Sequence, residues 1–132
     1  MVRVALAPCS PFSVTPELMR RTAELAERLD VRLHTHLAED PDEDRLCLET
    51  FGRRPIEHFE SVGWGSDRAW VAHCIYPSEA EIARMGGWGT GVAHCPSSNM
   101  MIGGGGIAPV ADFRAAGVPV GHGCDGSSST EG

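Results

Sequence analysis

The sequence predicts an α/β domain built on a parallel sheet, and three observations carry that reading. Short β-branched runs alternate with stretches of helical period along the 132 residues, the connections are short, and Pro, Ser, Thr and Gly sit where helices should start and stop. Strands and helices that alternate in this way imply parallel strands joined by right-handed crossovers.

Residues 2–7, "VRVALA", read as a buried strand closed by "PCSP". The helix "TPELMRRTAELAERL" follows, with Thr15 suited to the N-cap and Pro16 to the first helical position. Its expected apolar stripe is Leu18, Leu25, Ala26 and Leu29. "VRLHTHL" is the second strand. Two helical pieces, "DEDRLCLETFG" and "RPIEHFESVG", meet at Gly52, and "RAWVAHC" is the third strand. Ser78 and Glu81 make a capping box for a helix expected to stop at Gly86 and Gly87. "TGVAHCP" is the fourth strand. "SSNMMIGGGGIA" reads as a glycine-rich loop over a substrate. Pro109 opens a short helix that ends before Gly117, and "VPVGHGC" is the fifth strand.

Composition narrows the function. Net charge is −7, from 11 basic and 18 acidic residues, and no basic cluster offers a face to a nucleic-acid backbone. No apolar run reaches the roughly 20 residues needed to span a bilayer, and the N-terminus lacks the charged leader and apolar core of a secretory signal. Five scattered cysteines do not form a disulfide framework, so a cytoplasmic, reduced protein is expected. Cys74, Cys95 and Cys124 read as small core fillers.

Chemistry gathers at the strand ends. The second strand ends in His34, His36 and Glu39, the third in His73 and Cys74, the fourth in His94 and Cys95, and the fifth in His122, Cys124 and Asp125. The first ends more weakly, at Cys9 and Ser10. In parallel α/β folds these ends share one rim, where the active sites of eightfold barrels lie. Five of the six histidines fall there, and His58 falls on a helix. Imidazoles and carboxylates without a C-x-x-C pair suit a catalytic zinc or iron site better than a structural zinc. "AHCPSSNM" does not match the H-x-E and P-C-x-x-C pattern of the zinc nucleobase deaminases. Blander readings stand beside these: Glu39 opens an acidic stretch with Asp40, Asp42, Glu43 and Asp44 that could simply cap a helix, and Asp125-Gly126 is a common turn pair. "GGGG" at 103–106 lacks the Lys-Ser/Thr of a phosphate loop.

The motifs "HTHLAE", "VAHCIY", "TGVAHCPSSNM" and "GHGCDGSSS", in this order, resemble the deaminase and chlorohydrolase branch of the amidohydrolase superfamily. The resemblance implies strands four to eight of a (β/α)₈ barrel, an incomplete barrel spanning residues 1–132, with the first-strand H-x-H pair lying before residue 1. It implies one divalent metal, zinc or alternatively iron, with His36 and Asp125 as ligands and Glu39, His73 and Asp125 as catalytic groups. Cys9, His94, Ser97 and Asn99 are the implied substrate contacts, and His34 is a structural residue. His122 and Cys124 depart from the apolar residues expected at their positions. The implied activity is hydrolytic deamination of a purine-like ring of the 8-oxoguanine or guanine type, releasing ammonia; the alternatives are a triazine or ammeline-type chlorohydrolase, or a non-catalytic fragment. Five strands alone should be inactive and should self-associate as homo-oligomers through open sheet edges.

Overall fold

The computed structural model describes residues 2–103 and 106–126. Five strands, β1 (Ala5–Leu6), β2 (Arg32–Leu37), β3 (Ala69–His73), β4 (Gly91–His94) and β5 (Val120–His122), lie side by side in chain order, and every pairing is parallel. The connections carry helices α1 (Pro16–Leu29), α2 (Pro41–Phe51), α3 (Pro55–Ser61), α4 (Glu79–Trp88), α5 (Pro96–Met101) and α6 (Val110–Ala115). Parallel strands in sequential order put all five C-terminal ends on one edge, and that edge carries the predicted chemistry.

Local signals set most boundaries. Thr15 Oγ1 accepts the Leu18 N–H at 3.1 Å and Pro16 fills the first helical position of α1. Ser78 and Glu81 form the expected capping box on α4. Gly52 ends α2 with φ 67°. The core lies between the helices and one face of the sheet, where Leu33, Val71 and Val92 meet Phe59, Trp64 and Met85. Burial alternates along β2, with Leu33, Thr35 and Leu37 buried and His34 and His36 half-buried on the other face, as a strand's two-residue period requires.

Four expectations need correction. The first strand is short: only Ala5 and Leu6 pair, while Val2 and Val4 are exposed, because β1 has a hydrogen-bonded neighbour on one side alone. The buried face of α1 is Met19 and Ala26 with Ala23 beside them, whereas Leu18 and Leu29 are exposed. The indole N–H of the fully buried Trp64 donates to the Met19 carbonyl at 2.9 Å, which holds the helix in that rotation. Helix α4 does not stop at Gly86 and Gly87 but runs on to a left-handed cap at Gly89. Gly86 serves packing instead, since a Cβ there would lie 2.0 Å from the Ala116 carbonyl oxygen at the end of α6. The stretch read as a loop after β4 begins with α5, which starts on Pro96 and buries Ser98 and Asn99. Of the glycine-rich run, 104 and 105 lie outside the described residues, as does the tail 127–132. No described helix is long and apolar enough to cross a membrane.

His58, the one helical histidine, is 2% exposed and stacks on Phe51 with ring centroids 3.9 Å apart. Neither ring nitrogen has a hydrogen-bond partner among the described residues, and burial lowers its pKa below the ordinary imidazole value. The unfolded chain therefore takes up a proton that the folded chain resists, so stability should fall as the pH drops below about 6.5. The melting temperature of His58→Phe should exceed that of the parent at pH 5 by more than at pH 7. Equal differences at the two pH values would show that His58 does not carry this dependence.

Candidate functional site

Backbone strain begins the site. Trp70 and Ala72 of β3 face the same open hollow as His34 and His36. Regular alternation would send His73 to the opposite face, beside Leu37, its register partner. His73 and Cys74 instead adopt φ 67° and 48°. This left-handed step brings the His73 ring to 5.5 Å from that of His36, centroid to centroid. Ala38, one residue past β2, and Asp125, three past β5, are also left-handed, at φ 50° and 57°.

Three predicted groups converge. A ring nitrogen of His36, one of His73 and a carboxylate oxygen of Asp125 all lie within 4.8 Å of one another. His36 Nε2 is 3.8 Å from Asp125 Oδ1, and His73 Nε2 is 4.0 Å from Asp125 Oδ2. Glu39 joins them, with Oε1 3.6 Å from His73 Nε2.

Each member is held from behind. His36 Nδ1 lies 2.7 Å from the Cys9 carbonyl oxygen, so the N–H belongs on Nδ1 and the Nε2 lone pair faces Asp125. His73 Nδ1 lies 2.8 Å from Asn99 Oδ1, which likewise leaves Nε2 without a proton. Ser98 Oγ donates to Asp125 Oδ2 at 2.5 Å. His73 is fully buried, and its Nε2 has no hydrogen-bond partner among the described residues. Two imidazole lone pairs and two carboxylates thus face a common point. That donor set fits a divalent cation: nitrogen and oxygen ligands, with each histidine's other N–H committed to an oxygen.

The remaining candidates separate. Cys9 reaches the site through its backbone carbonyl, which takes the His36 ring N–H and the His36 backbone N–H at 3.0 Å. Asn99 is buried behind His73, while Ser97 is exposed; the side chain that touches Asp125 is its neighbour Ser98, which residue type and spacing did not single out. His94 lies beside His122, with ring centroids 6.2 Å apart, and its pKa is lowered by burial and then by His122. His34 Nδ1 is 3.2 Å from the Trp70 carbonyl and the ring stacks on Trp70 at 4.8 Å, contacts that fit a structural role. Cys74 and Cys95 are buried, and burial raises both thiol pKa values. Cys124 is exposed rather than a core filler, since it follows the short terminal strand β5. A separate hollow beside α1, lined by Arg20, Glu24, Ser61 and Arg68, contains none of His36, His73 and Asp125.

A family model described as "Amidohydrolase family" matches residues 1–131. An 8-oxoguanine deaminase from Pseudomonas aeruginosa is 56% identical over 130 residues, which cover 98% of this chain and 29% of that enzyme. An isoxanthopterin deaminase from an unidentified prokaryote is 40% identical, over 99% of this chain and 27% of its own length. Among solved structures, the atrazine chlorohydrolase TrzN of Arthrobacter aurescens, complexed with zinc, superposes with a TM-score of 0.92 at 38% identity, covering all of this chain and 29% of its own. The chain therefore spans less than a third of the length of these proteins, and the parallel α/β segment corresponds to part of a TIM-barrel fold.

Asn99 sets the tautomer of His73, which generates a prediction. Removing a partner from a buried polar group costs roughly 1–3 kcal/mol. Asn99→Ala should lower stability by about that amount, and imidazole nitrogen NMR should show His73 passing from one tautomer to a mixture. An unchanged His73 spectrum would mean that another group fixes the ring.

Proposed function

This chain belongs to the amidohydrolase family, and from that premise we propose that the protein carrying it is a metal-dependent hydrolytic deaminase acting on a purine-like ring of the 8-oxoguanine type. The observation that carries the reading is the convergence of His36, His73 and Asp125 within 4.8 Å, with the Glu39 carboxylate alongside. The 56% identity to an 8-oxoguanine deaminase supports the substrate class.

His36 and Asp125 would hold a divalent ion, zinc foremost, with His73 Nε2 at the same point. When bound, such an ion supplies Lewis acidity and brings the pKa of a water from 15.7 to about 7. The protein's own groups then divide the proton traffic. Asp125 accepts a proton from the attacking water, and the Ser98 hydroxyl on Oδ2 keeps the other oxygen turned toward the site. His73 Nε2 orients the attacking oxygen. Glu39 delivers a proton to the ring nitrogen as oxygen adds to the amine-bearing carbon. The amine takes the proton that Asp125 received, the hydroxyl on the carbon gives its proton back to Glu39 as the carbon–oxygen double bond forms, and the carbon–nitrogen bond breaks to release ammonia. Transfers of this kind are each worth roughly 10²–10⁴ in rate. His94 would border the substrate, while Asn99 acts from behind through His73. Free thiols at all five cysteines suit a reducing cytoplasm.

Two variants of the full-length protein test the roles. His36→Ala should lose tightly held zinc after dialysis; unchanged metal content would reject it as a ligand. Glu39→Gln should retain the metal and lose roughly 10²–10⁴ in kcat; full turnover would reduce Glu39 to a surface acid. Trials with 8-oxoguanine, guanine and aminotriazine or chlorotriazine substrates decide the chemistry. Ammonia from a purine is expected, and chloride from a triazine with no purine turnover would move the assignment to a chlorohydrolase.

A further inference from the structure

Glu43 is the fourth acid of the stretch that Glu39 opens, on the first turn of α2, yet it is only 6% exposed. It completes a capping box with Asp40, which by itself would be an ordinary helix start. In such a box the glutamate serves the N-cap amide. Here that bond is the weakest of three: Glu43 Oε1 accepts the Asp40 N–H at 3.4 Å, but it accepts the Glu39 N–H at 2.8 Å, and Oε2 accepts the Ala38 N–H at 2.7 Å. The carboxylate therefore grips the two residues before the helix more closely than the helix itself. Those two are the left-handed Ala38 and Glu39.

We infer that Glu43 is a positioning residue for Glu39: its buried carboxylate fixes the backbone turn at 38–40 and so sets where the Glu39 side chain meets His73. The inference rests on the catalytic reading of Glu39. Three features support it. Charge-assisted bonds to amides are about twice as strong as neutral ones, so this grip outweighs a typical cap. The turn is tied on its other side as well, because the Ala38 carbonyl accepts the N–H groups of Ile75 and Tyr76 at 2.8 and 3.2 Å. The turn is thus clamped between α2 and the segment after His73, and its conformation sets the 3.6 Å separation of Glu39 Oε1 and His73 Nε2. Finally, burial of Glu43 raises its pKa, the backbone N–H bonds opposing that rise. A carboxylate kept in so dry a place must be matched by fixed donors, and the amides of 38–40 are those donors.

Glu43→Gln tests this in the full-length protein. The amide keeps the shape but places N–H₂ against one of the backbone donors, so the turn loses a bond and its fixed geometry. A displacement near 1 Å costs about a hundredfold. We expect kcat to fall roughly tenfold to a hundredfold, with KM and zinc content close to the parent values. Glu49→Gln, on the exposed face of the same helix, should leave kcat unchanged and controls for general effects on α2. The deciding measurement is a double-mutant cycle. If Glu43 acts through Glu39, then Glu39→Gln with Glu43→Gln should be no slower than Glu39→Gln alone. A double variant slower by the product of the two single losses would overturn the inference and leave Glu43 a cap. Failure of the catalytic reading looks different, because Glu39→Gln would then be fully active by itself. Should Glu43→Gln fold poorly, Glu43→Asp serves as the second variant: it keeps the charge but is one methylene too short to hold both amides. It should lose kcat in the same non-additive way, and normal kcat in that variant would also overturn the proposal.

Discussion

Everything at the rim follows from one electrostatic constraint. Nitrogen lone pairs of His36 and His73 and carboxylate oxygens of Asp125 and Glu39 are drawn to within a few ångströms of a common point. Groups of this kind repel when nothing positive stands between them, and left free they would turn away toward water. None is free. Cys9 holds His36, Asn99 holds His73 and Ser98 holds Asp125, while Glu43 holds the backbone that carries Glu39. The folding energy of the helix layer thus keeps together a set of groups that would not assemble alone, which is the meaning of preorganisation.

The backbone bears part of the cost. Of the five non-glycine residues with positive φ among the described residues, Asp30 merely caps α1, and the other four, Ala38, His73, Cys74 and Asp125, all lie at strand ends on the rim. Each left-handed residue costs roughly 1–2 kcal/mol. Bonds between the strand ends offset this: the Cys74 N–H donates to the Leu37 carbonyl at 3.0 Å, and those of Ile75 and Tyr76 reach back to Ala38. Behind them the Arg54 guanidinium pairs with Asp44 and Glu81 and donates to the Tyr76 carbonyl, which ties α2, α4 and the segment after β3 together. Strain confined to the rim, with the support concentrated just behind it, is the distribution expected of a functional edge.

Much of this was legible in the residues. The order of strands and helices, the caps at Thr15 and Ser78, and the gathering of histidines and carboxylates on one rim follow from period, punctuation and strand-end placement, while the resemblance to a known family picks out His36, Glu39, His73 and Asp125 among them. What escaped depends on contacts distant in sequence. Gly86 looked like a helix stop because glycine usually is one, whereas its reason is the approach of Ala116. Helical spacing puts Leu18, Leu25, Ala26 and Leu29 on one stripe of α1, but Trp64 selects the Met19 face. Ser98 lacked any distinguishing pattern, since its partner Asp125 is 27 residues away. Glu43 was hidden in a run of acids, and only the spacing of Asp40 and Glu43 hinted at a role. Sequence therefore reported which groups could react, and it was nearly silent on which groups hold them.

The two faces of the sheet divide the labour. The helix-facing side is large and apolar, with Leu33, Leu37 and Val71 fully or nearly fully buried. The other face carries small residues, Ala72 and Ala93, among the rings of His34, Trp70 and His122. Small side chains there leave room for the last strand's exit to fold in tightly. A Cβ on Gly123 would sit 2.9 Å from Cys95 Sγ and 3.3 Å from Ala93 Cβ, so this position admits only hydrogen while its N–H donates to the His94 carbonyl at 2.9 Å. That close passage over β4 brings Asp125, two residues later, within reach of His36 on β2, across the intervening β3. Stability is thus built on one face and reach on the other.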